Sequence, residues 1–300
     1  MTAAQRLTPQ AFATLLVLAC LFGGNHVAAR VALDHGANVV TAVAARSLVT
    51  AVAVALLVAL QRVPWALQPK HRRVMPVIGV LVAAQSVLLY SAVARIPVGL
   101  ALLAFNTYPL WTAFAAWALY RHRPERAVLL AMPVILVGLA LALDAAGLAS
   151  GLGAQAQWGR IGAGVALAVT AGATFGLVLA LTQHEVADLD GRVRTVISMA
   201  IVGGLALVAA LAGPGLHLPA DVPGWWGLVL LTVLYGTAFT VLFTLLPRLG
   251  VVGNSPILNV EPVAALLMAW AVLGQAIAPV QWLGSLIVVG SVMGLAFVRR

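Results

Sequence analysis

The stretch NTYPLWTAFAAWA at residues 106–118 recurs 153 residues later, in altered form, as NVEPVAALLMAWA at residues 259–271. Both copies share the pattern N-x-x-P-x6-A-W-A. The same offset aligns Phe22-Gly23 with Phe175-Gly176 and Arg95 with Arg248. Because these matches occur in one order at one offset, they indicate an internal repeat. We expect residues 1–150 to form the first copy and residues 151–300 the second.

Composition requires lipid to surround much of this chain. Of its 300 residues, 63% are hydrophobic and 8% are charged, and the mean hydropathy is +1.06. An ordinary soluble domain carries about 25% charged residues and cannot bury this much apolar surface. The net charge of +9 lies in short gaps between apolar runs, which is typical of membrane orientation rather than of nucleic-acid binding. The single cysteine, Cys20, excludes an internal disulfide.

Ten apolar runs, separated by clusters of charge, proline and glycine, are predicted to cross the bilayer as helices. They lie at residues 11–30, 38–60, 74–94, 98–120, 126–144, 160–183, 193–213, 224–246, 252–274 and 281–298. Five spans per copy is an odd number, so the second copy is predicted to be inverted relative to the first. The predicted fold class is an all-α membrane protein with ten transmembrane helices in two inverted five-helix repeats, which is a construction of transporters.

The distribution of lysine and arginine predicts that both termini are cytoplasmic. The segment after Arg6 also resembles a signal peptide, with Cys20 at a loose lipoprotein cleavage site. The apolar run continues past Cys20 for long enough to span the membrane, which favours an uncleaved helix. With cytoplasmic termini, 13 of the 17 basic residues lie inside: Arg6, Arg62, Lys70, Arg72, Arg73, Arg121, Arg123, Arg126, Arg192, Arg194, Arg248, Arg299 and Arg300.

Two charged residues fall near the middle of predicted spans. Glu261 lies where a carboxylate costs ~2.5–3.5 kcal/mol, so it is expected to face a cavity or a partner. Pro262 follows it and removes one helical hydrogen bond. Glu261 is therefore a candidate for contact with substrate or a proton, or else for a structural pair. Arg46 either attracts a substrate carboxylate, snorkels outward or forms a structural ion pair.

Polar and aromatic residues in other spans complete the candidate substrate-binding site. Tyr108 and Trp111 share a helix face near Asn106, which suits an amphipathic or aromatic ligand and suits a packed helix about equally. Pro109 and Pro262 are predicted hinges at which two equivalent spans flex. Further candidates, each also compatible with a plain helix–helix hydrogen bond, are Asn25, His26, Gln85, Tyr90, Tyr235, Asn254 and Asn259.

Motifs for catalysis, metal binding and nucleotide binding are missing from the sequence, which has no P-loop, no H-E-x-x-H and no G-x-S-x-G. We therefore predict no enzyme activity, no metal, no cofactor and no nucleic-acid partner. The expected partners are the lipid bilayer and a small-molecule substrate, and the expected state is a monomer or homodimer. Small residues at a spacing of four are predicted to let helices approach closely, at Gly164, Ala168, Gly172 and Gly176.

The chain contains, in order, Phe22-Gly23-Gly24-Asn25, Ala45-Arg46-Ser47, Tyr108-Pro109 and Glu261-Pro262. This series resembles the EamA-type members of the drug/metabolite transporter superfamily, and the resemblance covers both repeats. The chain departs from the family where an acid usually ends the fourth and ninth spans, because His122 and Gln275 stand near those positions. The resemblance implies ten helices and a secondary transporter that exports small metabolites from a bacterial inner membrane.

Three readings of function remain open. The membrane-buried aromatic residues favour export of amino acids, as by the aromatic amino-acid and methyl viologen exporters of that family. Purine-type metabolites or organic cations and drugs are the alternative substrates. A membrane assembly subunit without transport is a further alternative, and it predicts a closed, packed centre in which Glu261 is paired and dry. A membrane enzyme would need a convergent nucleophile and base or a metal set, and the sequence offers neither.

Overall fold

The computed structural model describes residues 9–122, 126–213, 215–244, 261–275 and 278–298. Within these ranges the chain is helical apart from short connections, which confirms the all-α class. The helices are α1 (Pro9–Asp34), α2 (Val39–Leu60), α3 (Pro69–Val93), α4 (Val98–Phe105), α5 (Tyr108–Tyr120), α6 (Arg126–Ala142), α7 (Ala154–Glu185), α8 (Gly191–Ala212), α9 (Val222–Thr244), α10 (Glu261–Leu273) and α11 (Pro279–Val298).

Seven helical segments are long and apolar enough to cross a bilayer, with α4 and α5 taken together as one segment. The apolar parts of α6, α10 and α11 are shorter, at Leu129–Ala142, Glu261–Leu273 and Pro279–Ser291. The described residues therefore form a multi-pass membrane protein, and the number of ten spans stays a prediction.

The helix bounds repeat at the offset found in the sequence. Adding 153 to the last residue of α5 gives residue 273, which is the last residue of α10. The same shift moves the start of α3 onto that of α9. It also brings α2 to within one residue of α8 at both ends, and the end of α1 to within two residues of the end of α7. The two copies therefore share their helix pattern as well as their sequence motifs.

Packing between the copies follows a two-fold pattern. Helix α1 packs on α9, and their counterparts α7 and α3 pack on each other. Helix α1 also packs on α10, just as α7 packs on α5. Two further pairs, α2 with α8 and α6 with α11, each join a helix to its own counterpart. This is the pattern that a pseudo-two-fold axis between the copies produces.

The predicted span at 98–120 is broken in its middle rather than continuous. Helix α4 ends at Phe105, and α5 begins at Tyr108. Pro109 has no N–H, so the carbonyl of Phe105 loses its helical partner four residues on. That carbonyl faces Gly172 on α7, where an added Cβ would lie 2.7 Å from the oxygen. A helix interruption therefore sits inside the bundle, against a residue with no side chain.

Glycines shared by the two copies bring their helices close together. An added Cβ on Gly176 of α7 would lie 2.7 Å from the backbone nitrogen of Thr112 on α5. The equivalent Gly23 of α1 would place its Cβ 3.0 Å from the nitrogen of Ala265 on α10. The Gly23 contact holds α10, and with it Glu261, against α1. The packing role predicted for the small residues of α7 is confirmed at Gly172 and Gly176.

Helix α3 begins five residues before the predicted start at residue 74. Pro69 occupies its first turn, where its fixed φ suits a helix and its missing N–H is not needed. The side chain of His71 accepts the backbone N–H of Gln68 at 3.2 Å and so caps the helix. Lys70 and its basic neighbours are consequently helical rather than part of a loop.

Candidate functional site

A buried hydrogen-bond chain crosses the first copy at Arg46. This side chain lies on α2 and is 4% exposed. It donates from Nη1 to the hydroxyl of Tyr90 at 3.1 Å and from Nη2 to the hydroxyl of Ser86 at 2.9 Å, both on α3. The Tyr90 hydroxyl in turn donates to Oδ1 of Asn25 on α1 at 2.8 Å. Four side chains on three helices are thereby held in one arrangement.

Aromatic rings from both copies flank the guanidinium of Arg46. Its central carbon lies 4.1 Å from the ring centroid of Tyr235 on α9 and 4.8 Å from that of Tyr90. The Tyr235 ring packs on Phe239 at 4.7 Å between centroids and on Phe22 at 6.0 Å. Cation–π attraction stabilises a positive charge in such a place without neutralising it.

Arg46 lacks a carboxylate partner among the described residues. Its Nε atom is buried and makes no hydrogen bond there, and the same holds for the hydroxyls of Ser47 and Thr50 on the same helix. A buried polar group without a partner costs free energy, and a buried charge costs more. The arrangement therefore retains unused capacity to bind an anionic group.

Glu261 brings a carboxylate to the same region from the second copy. It lies at the first described turn of α10, and its side chain is 28% exposed. Its Oε1 lies 3.4 Å from Nε2 of His26 on α1, whose own Nδ1 is buried without a hydrogen bond. The rings of His26 and Tyr90 are 5.6 Å apart. His26 thus connects the carboxylate of one copy to the arginine chain of the other.

Comparison with known proteins agrees with a membrane transporter built from two repeats. The sequence model of the EamA-like transporter family matches residues 10–143 and again residues 162–297. The chain belongs to the EamA-like transporter family. The family resemblance found in the sequence is therefore confirmed, and with it the placement among membrane transporters rather than enzymes.

The fold of this EamA-like protein also matches a solved structure, described only as "Crystal structure of protein". The TM-score is 0.56 at 16% sequence identity, and the match covers 94% of this chain and 99% of that one. This likeness concerns the fold alone. No curated protein matches the chain. These comparisons name the family without naming an aromatic amino-acid or methyl viologen exporter.

The structure of the EamA-like chain brings six of the predicted site residues together. Hydrogen bonds and a ring contact connect the four from the first copy, Tyr235 covers the guanidinium from the second copy, and Glu261 contacts His26. The six are Asn25, His26, Arg46, Tyr90, Tyr235 and Glu261. Arg46 is turned inward, so the reading in which it snorkels outward is wrong. Its structural ion pair is not found in the described ranges.

A second group of predicted residues surrounds the break between α4 and α5. The indole nitrogen of Trp111 donates to the Thr107 hydroxyl at 3.3 Å. The amide nitrogen of Asn106 is buried without a hydrogen bond. Tyr108 packs edge-on against Phe175 of α7 at 5.2 Å between centroids. The break therefore places polar and aromatic side chains against α7.

The other predicted residues do not join this cluster. Gln85 is buried on α3 next to Ser86, and it makes no hydrogen bond to the cluster in the part of the chain that is described. Asn254 and Asn259 lie outside the described residues.

Ser86 and Phe22 were missed as site residues by sequence reasoning. Ser86 precedes Tyr90 by four positions, so both lie on one face of α3. That spacing would have found Ser86 once Tyr90 had been chosen. Phe22 already stood out in the repeat, but its place beside Tyr235 depends on the packing of α1 on α9.

Proposed function

We propose that this EamA-like protein is a secondary transporter that exports amino acids across a bacterial inner membrane. Membership of the family supports transport of a small molecule. The observation that carries the substrate class is the buried Arg46, which has no carboxylate partner in the described residues. A carboxylate at the centre of the bundle would offset its charge and accept the free Nε–H. We assign Arg46 to the substrate carboxylate.

The ammonium group of an amino acid would face Glu261. The contact between this carboxylate and His26 is 3.4 Å long, and the Glu261 side chain keeps 28% of its surface exposed. Both features leave room for a cation at Glu261. A zwitterion would thus find a positive and a negative partner, one from each copy of the repeat.

The aromatic residues support a preference for aromatic amino acids within this class. One group of ring contacts lies beside the guanidinium and contains Phe22, Tyr235 and Phe239, with Phe22 edge-on to both of the others. Tyr108, Phe105 and Phe175 form another group at the helix break. Aromatic rings prefer offset or edge contacts with other rings, and such pairs contribute about 0.5–1.5 kcal/mol beyond burial.

Alternating access between two inverted copies supplies the transport cycle of this proposal. Residues 1–150 would form one five-span copy and residues 151–300 the other, with both termini cytoplasmic. Arg46 lies in the first copy and Glu261 in the second, so relative motion of the copies would reshape the site between them. Sites at the interface of such repeats are typical of secondary transporters.

The two other readings fit the site less well. An organic cation would suit Glu261 and the aromatic rings, but it would be repelled by Arg46. A non-transporting subunit predicts that Glu261 is paired and dry. Glu261 does contact His26, yet its side chain is partly exposed, and nearby polar atoms of Arg46, His26 and Ser47 are buried without partners. A permanently closed centre gains nothing from leaving these groups unsatisfied.

Counterflow into proteoliposomes tests the proposal. Vesicles loaded with an unlabelled amino-acid mixture would be offered single labelled amino acids, amino-acid amides, nucleosides and organic cations. We expect uptake of amino acids, with aromatic ones the fastest. Arg46→Gln is expected to lower that uptake about 10- to 100-fold, because a hydrogen bond to a charged group contributes ~1.5–3 kcal/mol. Amides, which lack the carboxylate, should not be taken up.

Matched controls separate loss of the site from loss of the fold. Arg160→Gln removes an arginine from an exposed position on α7, and Glu185→Gln keeps an acceptor for the hydroxyl of Tyr120. Both should transport normally. Glu261→Gln should lose amino acids but not carboxylates that lack an amine. Uptake of amides or organic cations at the same rate as amino acids would overturn the carboxylate assignment.

A further inference from the structure

Two contacts between a carboxylate and basic side chains join the copies at corresponding places of the repeat. In one, Nδ1 of His35, after α1, lies 2.7 Å from Oδ2 of Asp221, at the start of α9. In the other, Oδ1 of Asp188, after α7, lies 3.0 Å from both Nε2 of His71 and Nζ of Lys70 in the first turn of α3. The shift of 153 residues carries His35 onto Asp188. The partner Asp221 is equivalent to Gln68, three residues before His71. The repeat has therefore kept a contact at this place, with the acid and the base exchanged and the partner shifted by three residues.

These contacts lie at opposite ends of the bundle. His35 lies before the start of α2, and His71 lies after its end. Helix α2 has 22 residues. At 1.5 Å per residue the helix separates its two ends by about 33 Å. With the orientation proposed above, the contact between His35 and Asp221 is on the outer face. The contact of Asp188 with His71 and Lys70 is then on the cytoplasmic face.

In each contact, one of the residues also caps the helix that the contact attaches to the other copy. Asp221 accepts the backbone N–H of Gly224 through its other oxygen at 3.0 Å. His71 accepts the N–H of Gln68 through Nδ1, so its Nε2 carries the proton donated to Asp188. Each contact is therefore built into the first turn of α9 or α3, and the side chain cannot move away without uncapping its helix.

Both carboxylates stay ionised over the range in which cells live. Hydrogen bonds from His71 and Lys70 lower the pKa of Asp188 to about 2. The N–H of Gly224 and the ring of His35 likewise lower the pKa of Asp221. The side chains of Asp221, Asp188 and Lys70 are also about two-fifths exposed or more. Exposed pairs of this kind are weak, so they can form and break during a cycle.

We infer that the contact of His35 with Asp221 and that of Asp188 with His71 and Lys70 are the two gate latches of this transporter, one on each face. Each latch ties the connection after the first helix of one copy to the start of the third helix of the other. Opening a face requires its own latch to part, while the opposite latch stays closed. The inference rests on the alternating-access function proposed above.

Thiol labelling tests the latches without any substrate. In a Cys20→Ser background, Ala37→Cys reports on the outer face and Leu189→Cys on the cytoplasmic face, since both positions are buried next to a latch. Asp221→Asn should raise the rate at which an impermeant reagent labels Ala37→Cys about two- to five-fold, the effect expected for one exposed ion pair. It should leave labelling of Leu189→Cys unchanged. Asp188→Asn should do the reverse.

A double-mutant cycle shows whether the effect belongs to the pair. His35→Gln should raise outer labelling as Asp221→Asn does, and the double variant should be no faster than either single one. Thermal unfolding identifies any variant that is merely unfolded. Three outcomes would each overturn the inference: equal acceleration of labelling at both reporters, additive effects of the two substitutions, or no acceleration in either single variant.

Bridging the outer latch provides a second, independent test. In the Cys20→Ser background, His35→Cys and Asp221→Cys would be oxidised to a disulfide and assayed by counterflow. We expect arrest that a reductant reverses. Counterflow that continues through the bridged protein would show that this end is a fixed joint, and the inference would fall. Absence of counterflow in the reduced protein would instead count against the proposed function, since the labelling cycle needs no solute.

Discussion

Arg46 and Glu261 differ in how far their charges are offset by neighbours. Glu261 has a histidine within 3.4 Å, whereas the arginine is held by hydroxyl groups and aromatic rings. A charge at the centre of a bilayer costs ~2.5–3.5 kcal/mol on insertion scales. Most of that cost remains at Arg46 until an anion arrives. Binding a carboxylate there therefore gains more than it would at a site already neutralised.

Gly176 and Gly204 provide a comparison between a glycine that is needed for packing and one that is not. A Cβ at Gly176 would meet the backbone of Thr112 at 2.7 Å, while a Cβ at Gly204 on α8 would meet nothing within 4 Å. We expect Gly176→Ala to lower the free energy of unfolding by about 1–3 kcal/mol through overpacking. Gly204→Ala should raise it slightly, because alanine favours a helix.

Thermal unfolding in detergent measures both changes. Gly23→Ala should fall between them, since its Cβ would lie 3.0 Å from Ala265. The same melting temperature for Gly176→Ala and Gly204→Ala would mean that the crossing of α7 and α5 is looser than these distances indicate.

The interrupted pair α4 and α5 is the element in which backbone chemistry meets the candidate site. Its break leaves the carbonyl of Phe105 without a helical partner, and Tyr108 begins the helix that follows. A helix bends with least cost where a hydrogen bond is already missing. Motion at this break would move Tyr108 relative to Glu261.

Replacing Pro109 and Pro262 by alanine together should slow exchange between inward- and outward-open forms. Alanine at position 109 restores an N–H for the carbonyl of Phe105 and favours a continuous helix. Counterflow rates at saturating substrate would measure the change. Pro133→Ala is the matched control, because Pro133 also lies inside a helix but on α6, away from the site. Unchanged exchange in the double variant would remove the hinge from the mechanism.

Features that are local in the sequence or repeated along the chain could be predicted from the sequence. The offset of 153 residues located the helix pattern, and the intramembrane charges marked Arg46 and Glu261. Sequence reasoning could not find the latches, because His71 and Asp188 are 117 positions apart and each looks like an ordinary loop or cap residue. Nor could it find the break in α4 and α5, since a proline near the middle of a span is compatible with a kink as well as with two helices.

The whole molecule is two copies whose major contacts cross from one to the other. Helix α1 packs on α9, α3 on α7 and α2 on α8, and each pair joins different copies. Residues 148–156, where the copies meet along the chain, are exposed. The peptide bond that links the copies at this point should therefore contribute little to holding them together once the helices have packed.

Separate expression of residues 1–150 and 151–300 in one cell tests this organisation. The two pieces should purify together and regain counterflow, because their interface is that of the intact chain. A cut between Pro64 and Trp65, in the connection between α2 and α3, is the control, since it divides a copy internally and should give a lower yield. Failure of the first pair to associate, with success of the second, would contradict the proposed boundary.

The unneutralised guanidinium of Arg46 also bears on the energy source of export. A bacterial inner membrane is negative inside, and moving one elementary charge through 100 mV is worth about 2.3 kcal/mol. A solute that leaves the cell as an anion is therefore driven outward by the membrane voltage itself. A zwitterion carries no net charge and leaves only down its own concentration gradient. Because the proposed site sets Glu261 against Arg46, it suits the zwitterion, and the membrane voltage then adds nothing to the driving force for export of the amino acid itself.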